Sequence, residues 1–226
     1  QPKITVSLPS KCSFICSVCK SNLPITDDTL KDFLGFVQKY YHPKQIIITV
    51  AGGVKSSDVF RSIEKKFGYL DGPDFLSPSE AKFKGGENRI EKQLEQAHFI
   101  FALEAPTITD PKVYDARVFS AILGGGMSSR LWQEIREKRG LVYSIHAYAR
   151  SFYDAGTFQV VAGTGEKQIK ELLPVLCDEL QRAPKNLTEK EIEKSKAQLK
   201  SATLMSREST MSNASVGVHQ IFTKGK

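Results

Sequence analysis

The residues best suited to chemistry in this chain are Arg136 and Tyr143, which lie seven positions apart in the segment 124–143. A guanidinium offers several hydrogen-bond donors in a fixed plane, and a phenol offers both a donor and an acceptor. An arginine near the end of a short helix and a tyrosine at the start of the next strand can converge on one spot. Such a pair suits an anionic or carbonyl-bearing partner. The alternative is an exposed ion pair of Arg136 with Glu134 or Glu137, beside a half-buried Tyr143.

The elements that must position this pair are a glycine run, a short helix and a strand. Three glycines and two serines come before the helix: Gly124, Gly125, Gly126, Ser128 and Ser129. Either serine is expected to cap the helix, and Gly140 is expected to end it. Leu131, Ile135 and Trp132 then share one face, which we expect to be buried.

The bulk composition of the chain excludes several classes of protein. Its 226 residues, 40% of them hydrophobic and 25% charged, are sufficient for a packed core. No apolar run approaches the roughly 20 residues that a membrane helix requires, so no membrane span is predicted. The net charge is +7, but the lysines are scattered over the chain. Nucleic acid is therefore not an expected partner.

Three of the four cysteines form a cluster near the start of the chain. Cys12, Cys16 and Cys19 have the C-x3-C-x2-C spacing of the iron–sulfur loop in radical S-adenosylmethionine enzymes, which gives one alternative function. Against that alternative, Val18 stands where such enzymes usually carry an aromatic residue, and the downstream pattern is not a barrel. The cluster and the distant Cys177 make a poor disulfide framework, which favours a reducing compartment.

The common catalytic motifs are missing from the sequence. The four histidines show neither an H-x-x-E-H nor an H-E-x-x-H pairing, so no zinc site of the helical type is present. A serine nucleophile elbow, a phosphate loop and a dinucleotide fingerprint are also missing. We therefore predict no catalytic residue and no metal ligand within this chain.

The periodicity of the chain predicts an α+β fold, a mostly antiparallel sheet with helices packed on one face. Helices are predicted over residues 26–41, 56–67, 110–123, 169–180 and from 188 onward, with Gly68 closing the second. Strands are predicted over 45–50, 96–103, 143–152 and 157–163, the last two as a hairpin turned at residues 154–156. Thr26 and Ser56 are expected to cap the first two helices, and Thr188 with Glu191 forms a capping box. The unbroken apolar run at 45–50 predicts a strand buried on both faces.

Several motifs together resemble the pitrilysin and insulinase family of inverted zinc metallopeptidases. They are Pro-Ile-Thr-Asp-Asp-Thr-Leu-Lys-Asp-Phe at 24–33, Lys-Phe-Gly at 66–68, Gln-Ala-His at 96–98, Leu-Gly-Gly-Gly-Met-Ser-Ser-Arg-Leu at 123–131 and Arg-Glu-Lys-Arg-Gly-Leu-Val-Tyr-Ser at 136–144. The resemblance covers roughly residues 24–222 and is closest to the mitochondrial processing peptidase β subunit and its bacterial relatives. It matches the later half of the family's chain, which follows the zinc domain.

The resemblance implies an organisation and a set of site residues. In the family, an H-x-x-E-H motif in a first domain binds zinc, and a similarly folded second domain closes over the peptide. The matching positions imply that Arg136 and Tyr143 contact the substrate backbone near the scissile bond. The run Gly124, Gly125 and Gly126 corresponds in position to a peptide-binding loop. The implied division is an atypical segment 1–23, a helix within 24–43 that belongs to or links from the zinc domain, and a family domain over 44–226.

The implied function is the substrate-binding half of a zinc metalloendopeptidase that cleaves peptides or presequences. This half is not catalytic by itself, and its zinc is expected in a preceding domain or a partner chain. The expected partners are the peptide and a zinc-binding domain or subunit of the same family, in a homodimer or a heterodimer. The expected location is the bacterial cytoplasm or the mitochondrial matrix. The alternative is a non-catalytic homologue that acts as a structural or binding subunit.

Overall fold

The computed structural model describes residues 13–15, 22–24, 27–41, 46–71, 80–91 and 94–224. The chain divides into two compact units, Gln1–Ser77 and Pro78–Lys226. The predicted cap Thr26 and the cysteines of the N-terminal cluster lie outside the described residues. None of the described helices combines the length and the apolar composition that a membrane span needs.

The described part of the first unit contains two short strands and two helices. Strand β1 (Ser13–Ile15) pairs antiparallel with β2 (Asn22–Pro24), and helix α1 (Asp27–Tyr40) follows. Helix α2 (Ser56–Phe67) ends at Gly68, as predicted, but Lys55 takes the capping position and no side chain caps it. The prediction of a Ser56 cap is wrong because Ser56 is already the first residue of the helix.

The predicted strand at 45–50 is also wrong. Residues 46–50 have no strand structure, and Ile48 and Val50 are exposed. A strand is held by its hydrogen bonds to a neighbouring strand. In the described part of the first unit, β1 and β2 pair only with each other, so this apolar run has no strand to join.

The second unit is built on a three-stranded antiparallel sheet. Strand β3 (Ala97–Glu104), β4 (Val142–Ser151) and β5 (Gly156–Thr164) lie in the order β3-β5-β4. Ser151 pairs with Gly156, so β4 and β5 form the predicted hairpin. The ladder between β3 and β5 runs from Ala97 opposite Thr164 to Glu104 opposite Thr157.

Four longer α-helices lie in the described part of the second unit. They are α3 (Val113–Gly124), α4 (Ile169–Arg182), α5 (Glu189–Ser206) and α6 (Thr210–Lys224). The core joins α3, α4 and the short helix after the glycine run to the sheet, through Leu123, Leu131, Ile135, Ile145, Ala147, Phe158, Val160, Ala162, Leu172 and Leu176. His146, which alternates with Ile145 and Ala147, is exposed, and so is Ile100, which alternates with the partly buried Phe99 and Phe101. The predicted α+β fold, with helices on one face of an antiparallel sheet, is therefore confirmed.

Candidate functional site

The short helix that carries Arg136 is helical from Arg130, and Trp132–Glu137 is a π-helix. The backbone N–H of Lys138 donates to the carbonyl of Gln133 at 3.0 Å, five residues back. Sequence periodicity predicted an ordinary helix and missed this wider turn. π-Turns are uncommon and are frequent at functional sites. The extra residue in the turn changes which side chains lie over one another.

The start of this helix differs from the prediction. Ser129 directly precedes the helix, but its hydroxyl donates to the carbonyl of Gly126 at 2.5 Å. The hydroxyl of Ser128 accepts a hydrogen bond from Lys194 Nζ at 2.7 Å. Within the described residues, neither hydroxyl accepts from a helix N–H group. The prediction of a serine side-chain cap is therefore wrong, because both hydroxyls are engaged elsewhere.

The inner face of the helix and its end are as predicted. Leu131 and Ile135 are fully buried, and Trp132 is partly buried against the core. Gly140 has a φ of +62°, and the N–H of Leu141 donates to the carbonyl of Ile135 at 3.1 Å. A positive φ costs glycine little, which lets the chain reverse sharply into β4. Arg136 therefore lies on a short helix whose inner face is packed into the core.

Arg136 lies on the face of the Trp132 ring. Its guanidinium carbon is 4.1 Å from the ring centroid, and its Nη1 is 3.5 Å from Glu137 Oε1. The same Glu137 oxygen accepts a hydrogen bond from Trp132 Nε1 at 3.0 Å. Glu134 instead pairs with Lys138, which lowers the pKa of the Glu134 carboxyl. The side chain of Arg136 is 34% exposed, and its guanidinium makes no hydrogen bond to a described residue.

Tyr143 occupies a β-bulge at the start of β4. Val142 pairs with Thr164 and Ser144 pairs with Gly163, so Tyr143 has no partner on β5. Without the bulge, strand alternation would turn Tyr143 inward, to the same side as Ile145. The bulge turns Val142 inward instead and leaves Tyr143 71% exposed. Bulges re-aim side chains in this way near active sites.

Arg136 thus lies on the helix before the turn at Gly140, and Tyr143 lies on the strand after it. Among the described residues, no hydrogen bond or ring contact joins their two side chains. Both keep polar groups that a ligand can use, since the Tyr143 hydroxyl also makes no hydrogen bond to a described residue. Their convergence on one substrate stays a prediction.

The glycine run has a packing role that is visible in the structure. A Cβ atom on Gly124 would lie 2.1 Å from the backbone nitrogen of Ala147, and one on Gly125 would lie 2.6 Å from the carbonyl oxygen of Ala121. The Gly125 carbonyl accepts from Gln198 Nε2 at 3.0 Å. A cavity of about 60 Å³ lies between this run and α5, large enough for a few water molecules only. Peptide binding by the three glycines stays a prediction.

Arg130 connects the start of this helix to the start of α5, a contact that the sequence did not predict. Its Nε and Nη2 donate to the two carboxylate oxygens of Glu191 at 2.6 and 2.7 Å, and Nη2 also donates to the carbonyl of Asn186 at 2.8 Å. Glu191 also accepts from the N–H of Thr188, which completes the predicted capping box. The pKa of Glu191 is lowered to about 2, mainly by the hydrogen bonds from Arg130 and further by those from Thr188.

The ion pair predicts how stability depends on pH. In the unfolded chain the pKa of Glu191 lies near its ordinary value of 4.5, and in the folded chain it is about 2. The carboxylate therefore stabilises the fold above about pH 4.5, and this stabilisation is lost as the pH falls through 2. After allowance for solvent screening, Glu191→Gln is expected to lower the free energy of unfolding by about 1–2 kcal/mol at pH 7, and by less than half of that at pH 3.

Urea unfolding of the two proteins at both pH values measures this difference. Glu193→Gln is the matched control, because Glu193 lies one half-turn further along α5 in an exposed pair with Lys196. We expect its stability to equal that of the wild type at both pH values. A gap between wild type and Glu191→Gln that is equally large at pH 7 and pH 3 would contradict the assigned ion pair.

The described residues do not fit a metal ion, because no group of three or more His, Cys, Asp or Glu side chains among them could hold one. Cys177 is exposed and free. What the described part of the site offers is a set of hydrogen-bond donors: a stacked guanidinium and an exposed phenol. Those groups can donate hydrogen bonds to a carbonyl oxygen or an anion.

Comparison with known proteins gives consistent matches. Residues 28–199 match the family described as the Peptidase M16 inactive domain. A Bacillus subtilis (strain 168) protein named as the uncharacterized zinc protease YmxG is 34% identical over 197 residues, which are 84% of this chain and 48% of that protein. The chain therefore spans about half the length of the curated relatives that it matches.

Solved structures give the same fold. A protease from Helicobacter pylori aligns with a TM-score of 0.67 at 24% identity, over 85% of this chain and 49% of its own. A peptidase M16 inactive domain from Pseudomonas fluorescens aligns with a TM-score of 0.56 at 26% identity, over 80% of this chain and 44% of its own. The resemblance that the sequence motifs indicated is confirmed.

Proposed function

Because the chain belongs to the peptidase M16 family, the pitrilysin and insulinase family, we propose that it is the substrate-binding half of a zinc metalloendopeptidase. The 226 residues contain no H-x-x-E-H motif, so this half does not cleave peptides by itself. The description of the matching family as an inactive domain supports this division of labour. Zinc and the general base come from another segment or a partner chain.

Arg136 and Tyr143 are the proposed peptide contacts. The observation that carries this proposal is the bulge at Tyr143, which turns a phenol out of the core at the end of the segment that holds Arg136. A phenol O–H can donate to the oxygen that becomes negative as a peptide bond is attacked. A guanidinium with unused donors can hold a neighbouring peptide carbonyl. The run Gly124, Gly125 and Gly126 is proposed to line the same peptide path.

Helix α1 is proposed to contact the zinc domain, either as part of it or as the link from it. Its apolar residues Phe33, Leu34 and Val37 recur on one helix face, and all three are exposed in the first unit. An apolar helix face of this kind is normally covered by another element. The proposed partner is a zinc-binding domain or subunit of the same family, in a homodimer or a heterodimer. The proposed location is the bacterial cytoplasm and not the mitochondrial matrix, since these relatives are bacterial proteins.

Reconstitution with the zinc-binding domain tests this proposal. The cleavage rate of an unstructured peptide is measured with the zinc-binding domain alone, with this chain alone, and with both. We expect no cleavage by this chain alone and an increase of at least about tenfold when it joins the zinc domain, since peptide positioning contributes strongly to such rates. An unchanged rate would contradict the proposal and support the alternative of a structural or binding subunit.

A further inference from the structure

We propose that Trp132 and Glu137 are positioning residues that hold Arg136 ready for the peptide carbonyl. This inference rests on the proposed function, because it assigns to Arg136 a contact with the substrate. Trp132 carries the guanidinium 4.1 Å from its ring centroid, within the range of a cation–π contact. Glu137 receives the indole N–H at 3.0 Å and lies 3.5 Å from Arg136 Nη1. We call these three residues the arginine clamp.

The π-helix is the structural cause of the arginine clamp. In an α-helix, the fifth residue after Trp132 would lie about 140° further round the helix, away from the indole. The wider π-turn brings Glu137, five positions after Trp132, back to the same side of the helix as Trp132. Glu137 can therefore reach Trp132 Nε1, and Arg136 at the fourth position lies over the ring. An ordinary helical turn would separate Glu137 from the indole.

The base of the clamp is rigid. Trp132 is partly buried against the core, next to the fully buried Leu131, and its ring centroid is 6.3 Å from that of His146 on β4. The position of the indole is therefore fixed by packing on one side and by its hydrogen bond to Glu137 on the other. A guanidinium stacked on such a ring has lost much of its conformational freedom before any ligand binds.

The clamp leaves the donors of Arg136 available. The contact with the Trp132 ring uses no N–H donor of the guanidinium, and none of its N–H groups makes a hydrogen bond to a described residue. A carbonyl group can therefore accept from the edge of the plane without first breaking a hydrogen bond. The Arg136 side chain has already lost conformational entropy in the free protein, so peptide binding does not have to order it. The clamp is therefore expected to strengthen peptide binding. Removing it should raise KM and leave kcat nearly unchanged.

Kinetics of the complete protein, this chain together with its zinc-binding domain, test the inference. Trp132→Ala is expected to raise KM about tenfold with kcat within about twofold of wild type, a size that matches loss of a partly buried cation–π contact. Trp132→Phe should raise KM much less than Trp132→Ala, since a phenyl ring keeps a weaker cation–π contact with Arg136. Glu137→Gln should raise KM about threefold. Glu134→Gln is the matched control, because Glu134 pairs with Lys138, and it should leave KM unchanged.

The same measurements in an Arg136→Ala background separate positioning from general damage. If the clamp acts through Arg136, Trp132→Ala adds no further increase in KM there. An equal increase in both backgrounds, or a loss of kcat at constant KM, would overturn the clamp while the proposed function stands. If Arg136→Ala alone changes neither KM nor kcat, the proposed contact of Arg136 with the substrate is itself wrong, and the clamp falls with it.

Tryptophan fluorescence checks the stacking without reference to activity. Trp132 is the only tryptophan among the 226 residues, so the difference between each protein and its Trp132→Phe counterpart isolates its emission. Arg136→Ala is expected to make this emission more accessible to acrylamide, because the guanidinium no longer covers the ring. Equal quenching with and without Arg136 would overturn the clamp.

Discussion

Replacing Tyr143 by phenylalanine is expected to lower kcat of the complete protein by about 100-fold, the size typical for loss of one donor to a developing oxyanion. Replacing Arg136 by alanine should lower kcat/KM by about 10- to 100-fold, mainly through KM, because a charge-assisted hydrogen bond to a carbonyl is lost. Both residues lie on the surface, and neither side chain belongs to the buried core. We therefore expect both variants to unfold at the wild-type urea concentration.

Two neighbouring residues provide matched controls for these variants. Tyr153 is exposed to a similar extent in the turn between β4 and β5, so Tyr153→Phe should leave kcat unchanged. Arg139 is exposed and lies three residues after Arg136, so Arg139→Ala should leave KM unchanged. Wild-type kinetics for both Tyr143→Phe and Arg136→Ala would refute the assigned roles. Equal losses in the control variants would show a nonspecific effect of surface charge or of the phenol.

Gly124→Ala is expected to destabilise the second unit by about 2 kcal/mol or more. The added Cβ would lie 2.1 Å from the backbone nitrogen of Ala147 and 2.7 Å from its Cβ. Helix α3 ends at Gly124, and alanine would gain at most about 1 kcal/mol there from helix propensity. Overpacking against a backbone costs about 1–3 kcal/mol or more, because neither α3 nor β4 can move without disturbing the core. The cost of the steric clash is therefore expected to exceed the gain in helix propensity.

The midpoint of urea or thermal unfolding measures this loss. Gly85→Ala is the control, because a Cβ atom there would meet nothing within 4 Å. Its stability is expected to stay within about 0.5 kcal/mol of wild type, as for most surface substitutions. A Gly124→Ala protein as stable as the Gly85→Ala protein would show that α3 does not pack against β4 as closely as described.

Features that depend on neighbouring residues in the chain were predicted well. Gly140 ends the short helix because a positive φ is required there, and the Thr188 capping box needs only a threonine and a glutamate three residues apart. The β4–β5 hairpin follows from alternating residues on both sides of a glycine turn. In each case the residues that determine the feature lie within a few positions of one another in the sequence.

Features that depend on distant partners were missed. The apolar run at 46–50 resembles a buried strand, but a strand requires a neighbour, and no local pattern reveals whether one is present. The pairing of Arg130 with Glu191 joins residues 61 positions apart. The predicted Ser128 cap failed for the same reason, since its hydroxyl accepts from Lys194 of α5.

The geometry of the candidate site lies between these two cases. The motif identified Arg136 and Tyr143, but the π-turn and the β-bulge that set their directions have no signal in the local periodicity. Both irregularities add one residue to a regular element. The bulge is the more consequential, because strand alternation alone would have turned the Tyr143 phenol into the core.

The measurement that tests the central claim most directly is the rate of peptide cleavage by the zinc-binding domain with three forms of this chain. These are no chain, the wild-type chain, and the chain carrying both Arg136→Ala and Tyr143→Phe. The account predicts a large increase in rate with the wild-type chain and almost none with the double variant, although both bind the zinc domain equally well. An equal increase with the two chains would contradict it.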